Sequence, residues 1–118
     1  MLNKRSLGLV SMFILLLLTL SFKDADPSVL LVKNISQFND AVKNAKPGDI
    51  ITLANGVWKD AELVFEGKGT AKDPIKLTVE TKGKVTLEGA SNLQLAGEHL
   101  IVEGLVFKNG YTPTNAVI

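Results

Sequence analysis

The stretch Ile75–Gly110 constrains this chain more than any other. It runs Ile-Lys-Leu-Thr-Val-Glu, then Lys-Val-Thr-Leu-Glu-Gly, then Leu-Gln-Leu-Ala-Gly, then Leu-Ile-Val-Glu-Gly-Leu-Val-Phe-Lys-Asn-Gly. Ile75, Leu77 and Val79 share one side of an extended chain, with Lys76, Thr78 and Glu80 on the other. Val85 and Leu87 repeat the pattern against Thr86 and Glu88, and Leu93 and Leu95 repeat it against Gln94 and Ala96. A period of two in short runs broken by glycine predicts strands with one buried face.

The spacing of the runs narrows the architecture. One series of strands starts near Ile50, Ile75 and Leu100, about 25 residues apart. A second starts near Leu63, Val85 and Leu105, about 20 to 22 apart. Two interleaved series predict a solenoid in which each turn gives more than one strand and the odd-numbered Val and Leu side chains stack inside. Gly83, Gly89, Gly97, Gly104 and Gly110 then fall at corners that require positive φ. An antiparallel meander or small sandwich also spaces strands every 8 to 12 residues or so. Spacing alone leaves both open.

Upstream, Val29–Val32 reads as a first strand. Ile35, Phe38, Ala41, Val42 and Ala45 recur at helical spacing, with Ser36 as the expected N-cap. Lys46-Pro47-Gly48-Asp49 stops the helix. Such a helix has one apolar stripe, and laid across the open end of a solenoid it would cover that end. Ile50–Leu53 is the next strand and Asn55-Gly56 a tight turn. Val57-Trp58 and Leu63-Val64-Phe65 are further strand pieces. Gly67–Pro74 reads as a polar loop whose proline biases Asp73 towards extended geometry.

The chain has 118 residues, enough for one small domain, and 46% of them are apolar. Residues 1–25 read as a signal peptide: Lys4 and Arg5, an apolar run from Leu7 to Leu20, then Lys23-Asp24. That run falls short of the roughly 20 residues that span a bilayer, so no stable membrane insertion is expected after cleavage. An uncleaved anchor is the alternative. Either way residues 26–118 lie outside the cytoplasm, in a secreted or periplasmic protein. The sequence contains no cysteine, which excludes a disulfide framework and a thiolate metal site. Beyond residue 25 there are ten basic and eleven acidic side chains, and Arg5 is the only arginine in the chain. A near-neutral domain without arginine forks does not fit nucleic-acid binding.

Three segments taken in order carry a family resemblance. They are Ile-Ser-Gln-Phe-Asn-Asp-Ala-Val-Lys-Asn-Ala-Lys-Pro-Gly-Asp, Ile-Ile-Thr-Leu-Ala-Asn-Gly-Val-Trp-Lys-Asp-Ala with Phe-Glu-Gly-Lys-Gly-Thr-Ala-Lys-Asp-Pro-Ile, and Ile-Val-Glu-Gly-Leu-Val-Phe-Lys-Asn-Gly-Tyr. Together, from about Val32 to Ile118, they resemble the N-terminal part of polysaccharide lyase family six, the alginate lyase and chondroitinase B type. The resemblance implies an all-β fold, a right-handed parallel β-helix with an N-terminal amphipathic capping helix. Residues 26–118 would be the cap and its first two to three turns. It also implies an acidic polysaccharide partner, alginate or chondroitin/dermatan sulfate, cleaved by β-elimination. In that chemistry a bound Ca²⁺ neutralises the sugar carboxylate, a lysine takes the C5 proton and an arginine assists. Those residues lie in the family past the equivalent of Ile118. No catalytic, substrate-binding or metal residue is therefore carried onto this sequence, Ca²⁺ is expected only in the full-length parent, and the fragment alone is expected to be inactive.

The chemistry-bearing residues that are present read mainly as structural. Glu62, Glu66, Glu88 and Glu103 could ligate a hard cation, but their spacing does not converge and solvent-facing strand positions explain them. His99, the sole histidine, reads as a surface turn residue. Trp58 and Tyr111 could stack on sugar rings, although Trp58 is better placed to pack against the cap or an early turn. Within Lys108-Asn109-Gly110-Tyr111, Asn109 is expected in an internal ladder of side chains. Two function classes follow: the N-terminal part of an exported lyase, or a non-catalytic β-helix acting in carbohydrate binding or surface adhesion.

Overall fold

The computed structural model describes residues 27–110. Residues 1–25, which the sequence predicts to be a signal peptide, and Tyr111 lie outside the described residues. The elements in chain order are β1 (Val29–Val32), α1 (Ile35–Lys43), β2 (Ile50–Leu53), β3 (Gly56–Lys59) and β4 (Glu62–Lys68). They continue with β5 (Ile75–Val79), β6 (Val85–Gly89), β7 (Asn92–Glu98), β8 (Leu100–Val102) and β9 (Phe107–Gly110). Every strand pairing is parallel, which rules out the meander. From β2 onward the chain visits three sheets in rotation, ordered β1-β2-β5-β8, β3-β6-β9 and β4-β7. This is a right-handed parallel β-helix with a helix at its N-terminal end.

The first strand series is as expected: Ile51 stacks in register on Leu77, and Leu77 on Val102. The second series was in fact two sheets. Leu63 stacks on Leu93, whereas Val85 lies over Gly56 in a different sheet. The short corner at Asp60-Ala61 separates β3 from β4 and puts them in different sheets. Inside, Ile51, Leu53, Leu63, Phe65, Ile75, Leu77 and Val85 are fully buried. Leu95 is the exception to the alternation, with 47% of its surface exposed. It is in register with Phe65 below and belongs to β7, the upper strand of its sheet among the described residues.

The helix lies chiefly against β4 and also touches β1 and β2, which places it across the end of the solenoid. Phe38 and Ala41 are its buried residues. The N-cap is Asn34, not Ser36. Asn34 has extended backbone and its Oδ1 accepts from the Gln37 amide at 2.9 Å. Gln37 reaches back in turn, its Oε1 accepting from the Lys33 amide at 2.8 Å. This reciprocal pair outcompetes the Ser36 hydroxyl, which falls inside the first turn.

The corners stack as the strands do. Asp60 has φ 50° and its Oδ1 accepts from the Ala90 amide at 2.8 Å. Gly89 sits at the same corner one turn on, where an added Cβ would run into that carboxylate. Gly97, with φ 126°, lies in register over Gly67, and a Cβ there would overlap the Gly67 carbonyl. Gly97 and Gly110 both lie within strands, β7 and β9, not at corners, and Gly110 also lacks the expected positive φ, which falls on Asn109 at 52°. That places Asn109 on the exposed outside, not in an internal ladder.

Ser91 closes the corner before β7. It is buried, its Oγ accepts from the Ala61 amide at 2.9 Å, and its hydroxyl can donate to the Glu88 carbonyl at 2.7 Å or the Trp58 carbonyl at 3.1 Å. Ser91→Ala strands the Ala61 amide and is expected to cost about 1–3 kcal/mol. A lower urea midpoint with unchanged slope would report it, and an unchanged midpoint would contradict it.

Candidate functional site

Acid–base or metal chemistry requires groups that converge, so the test is where the strands deliver each side chain. On β4, Glu62 and Glu66 point outward and are exposed. Glu88, on β6, accepts from the Thr86 hydroxyl at 2.9 Å and from the Asn109 side-chain Nδ2 at 3.4 Å. Glu103 pairs with Lys76 at 3.4 Å on the outer face of the first sheet. These four carboxylates thus lie on three different faces. No group of three or more His, Cys, Asp or Glu side chains among the described residues could hold a metal ion. A hard cation needs several converging oxygens, so these residues do not fit a Ca²⁺ site.

His99 sits exposed in a turn with φ 51°, and its carbonyl accepts from the Ile75 amide at 3.1 Å. It is the surface turn residue expected, and its contribution is that backbone bond. Trp58 is buried in β3, in register with Leu87, and its Nε1 donates to the Ala54 carbonyl at 3.0 Å. It is a core residue of an early turn, as expected.

One charged residue, Asp49, does more than end the Lys46–Asp49 helix stop. It is 1% exposed and holds two amides, Ser28 at 2.9 Å and Lys46 at 2.9 Å. Burial pushes its carboxyl upward, but those two amides and the Lys46 ammonium outweigh burial and hold it below the usual carboxylate value. The signal was available: an aspartate directly before a strand, three residues after a lysine. Asp49 is a clasp with no reactive partner.

Two concavities among the described residues bear on the question. One, of about 400 Å³, opens at the end of the solenoid away from the helix and is lined by Leu93, Leu95, Val102, Leu105 and Phe107. It is the upward continuation of the core. The other, of about 290 Å³, lies between the start of α1 and the strand β3. Lys33, Asn34, Asn55, Trp58, Lys59 and Asp60 are among its lining residues. It is the more polar of the two: two lysines, two carboxamides and the Asp60 carboxylate line it beside Ile35, Val57, Trp58 and Ala61.

The family model described as Chondroitinase B matches residues 32–118. No curated protein matches. Among solved structures, the chain is similar to the PL6 family alginate lyase AlyGC, with 62% identity and a TM-score of 0.71. The match covers 73% of this chain and 12% of that enzyme. A PL6 family polysaccharide lyase from Pseudopedobacter saltans is 42% identical, with a TM-score of 0.67 over 69% of this chain and 19% of its own. A mannuronic acid specific family 6 lyase from human gut microbiota is 26% identical, with a TM-score of 0.61 over 72% of this chain and 20% of its own. The chain therefore spans a fifth or less of the length of each of these enzymes.

Proposed function

The chain belongs to the chondroitinase B family, polysaccharide lyase family six, and from this we propose that it is the N-terminal cap and first turns of an exported lyase acting on uronate-containing polysaccharide. The observation that supports this best is 62% identity to an alginate lyase across 73% of the chain. The reaction is β-elimination: a proton leaves C5 of the uronate, the glycosidic oxygen departs from C4, and a C4=C5 double bond forms. A base must reach the C5 proton, and positive charge must stabilise the carboxylate as the carbanion develops.

The described residues supply scaffold for that reaction. Their acidic side chains point to separate faces, so in this reading the catalytic lysine, the arginine and any Ca²⁺ site lie in later turns. Residues 1–25 act as the export signal, which places the enzyme in the periplasm or outside the cell.

The reading is tested by extending the chain. The gene is expected to remain open past Ile118, and its full product is expected to release unsaturated uronate from alginate or chondroitin sulfate, followed by ultraviolet absorbance. The 118-residue chain alone is expected to release none. Release by the short chain would place the active site within it. A full product inactive on every uronate polymer offered would sink the lyase reading and leave the binding or adhesion module.

A further inference from the structure

The polar depression beside β3 is built by the way the solenoid starts. Among the described residues β3 is the bottom strand of its sheet and pairs with β6 alone. The Gly56 and Asp60 amides donate upward to the Lys84 and Glu88 carbonyls, each at 2.9 Å. Strand alternation then turns the main-chain groups of Val57 and Lys59 towards the lower, unpaired edge. Below that edge the chain runs through Lys33 and Asn34 into α1, and the gap between is the depression.

Its lining carries two lysines against one carboxylate. Neither Lys33 nor Lys59 makes an ion pair among the described residues, whose ion pairs are Lys46–Asp49 and Lys76–Glu103. The carboxylate in the lining, Asp60, is turned to the Ala90 amide one turn up. Asn34 is engaged through Oδ1 and Asn55 through Nδ2, which leaves an amide donor and a carbonyl acceptor, respectively, for a ligand. At about 290 Å³ the space is at the lower end of the roughly 300–1,000 Å³ of small-molecule sites.

We infer that this depression is a non-catalytic subsite for one uronate unit of an acidic polysaccharide. Lys33 and Lys59 meet the sugar carboxylate. The Asn34 and Asn55 carboxamides and the open edge of β3 meet its hydroxyls. The inference rests on the reading above for its substrate class. A second hold on the polymer, far along the solenoid from later turns, would raise the local concentration of substrate at the active site without taking part in the chemistry.

The test is a calorimetric or NMR titration of the 118-residue chain with an alginate tetrasaccharide, and with cellotetraose as the neutral control. The alginate oligomer is expected to bind and cellotetraose to bind far more weakly. Lys33→Gln combined with Lys59→Gln is expected to weaken binding about fivefold or more, and added salt to weaken it further. Lys43→Gln, at the far end of α1, is expected to leave it unchanged. Dispersed amide spectra establish that each variant is folded.

No binding by the parent chain, equal binding of cellotetraose, or undiminished binding by the double variant would overturn the subsite. A lysine at a strand edge also discourages edge-to-edge pairing. If that is the role here, the double variant binds alginate as before and self-associates, which also overturns the proposal. A lyase-active full product with a non-binding 118-residue chain removes only the subsite. A binding chain with an inactive full product removes only the lyase reading.

Discussion

Phe65→Ala is expected to lower the unfolding free energy by about 3–5 kcal/mol. Phe65 is fully buried in β4, in register with Leu95 and part of the same core as Phe38 of α1. β4 is also the strand most in contact with α1. Truncation would open a cavity between the cap and the first turn, and neither side can easily collapse into it. One side is a helix fixed by its own N-cap, and the other is strands held in register by main-chain hydrogen bonds. A loss of this size is a large part of the roughly 5–15 kcal/mol available to a domain. Urea unfolding would show it as a lower midpoint. Val64→Ala, one residue away on the outer face and 40% exposed, should move it by less than about 0.5 kcal/mol. Similar losses at the two positions would mean that β4 does not separate an inside from an outside.

That contrast is the same one the sequence displayed, and it explains why so much of the fold was legible. Alternation at Ile75–Val79 and Val85–Leu87 identifies the buried face because a strand's side-chain period is two, whatever its neighbours are. What alternation cannot give is the partner. Leu63, Val85 and Leu105 share a similar spacing, yet Leu63 stacks in register on Leu93, and the corner at Asp60 and Ser91 separates their sheet from that of Val85. Corners are made by single side chains reaching the backbone of an adjacent turn, about 30 residues away in sequence. The same holds for the cap. The helix was plain from its stripe, but the choice of Asn34 over Ser36 rested on Gln37 answering back. The polar depression was not legible at all. It brings Lys33 and Asn34 against Asn55 and Lys59, residues whose juxtaposition depends on the sheet of β3 starting one turn later than that of β1.

Asp49 gives the second large effect, and one with a defined pH signature. Its Oδ1 holds the Ser28 amide just before β1, its Oδ2 holds the Lys46 amide just after α1, and its carbonyl accepts from the Lys76 amide of β5 at 3.0 Å. One residue therefore ties the chain's entry, the end of the cap and the second turn together. Asp49→Ala leaves two amides without acceptors. At about 1.5–3 kcal/mol for each bond to a charged group, the expected loss is about 3–6 kcal/mol. The Lys46 ammonium, 3.8 Å away on a half-exposed side chain, adds little to this. Asp49→Asn keeps the size but turns a donor towards one of the amides, so it should fall between alanine and the parent chain. The sign of the pH dependence follows from the direction of the shift. The folded carboxyl lies below its ordinary value of 3.8, so the unfolded chain takes up the proton first as pH falls. The stabilisation is therefore fully present above about pH 4 and is lost as pH drops through the lower, folded value. The stability gap between parent and Asp49→Asn should stay flat from roughly pH 5 to 8 and close in acid. A gap that closes on raising the pH, or no gap at neutral pH, would show that the carboxylate is not what holds the cap to the first turn.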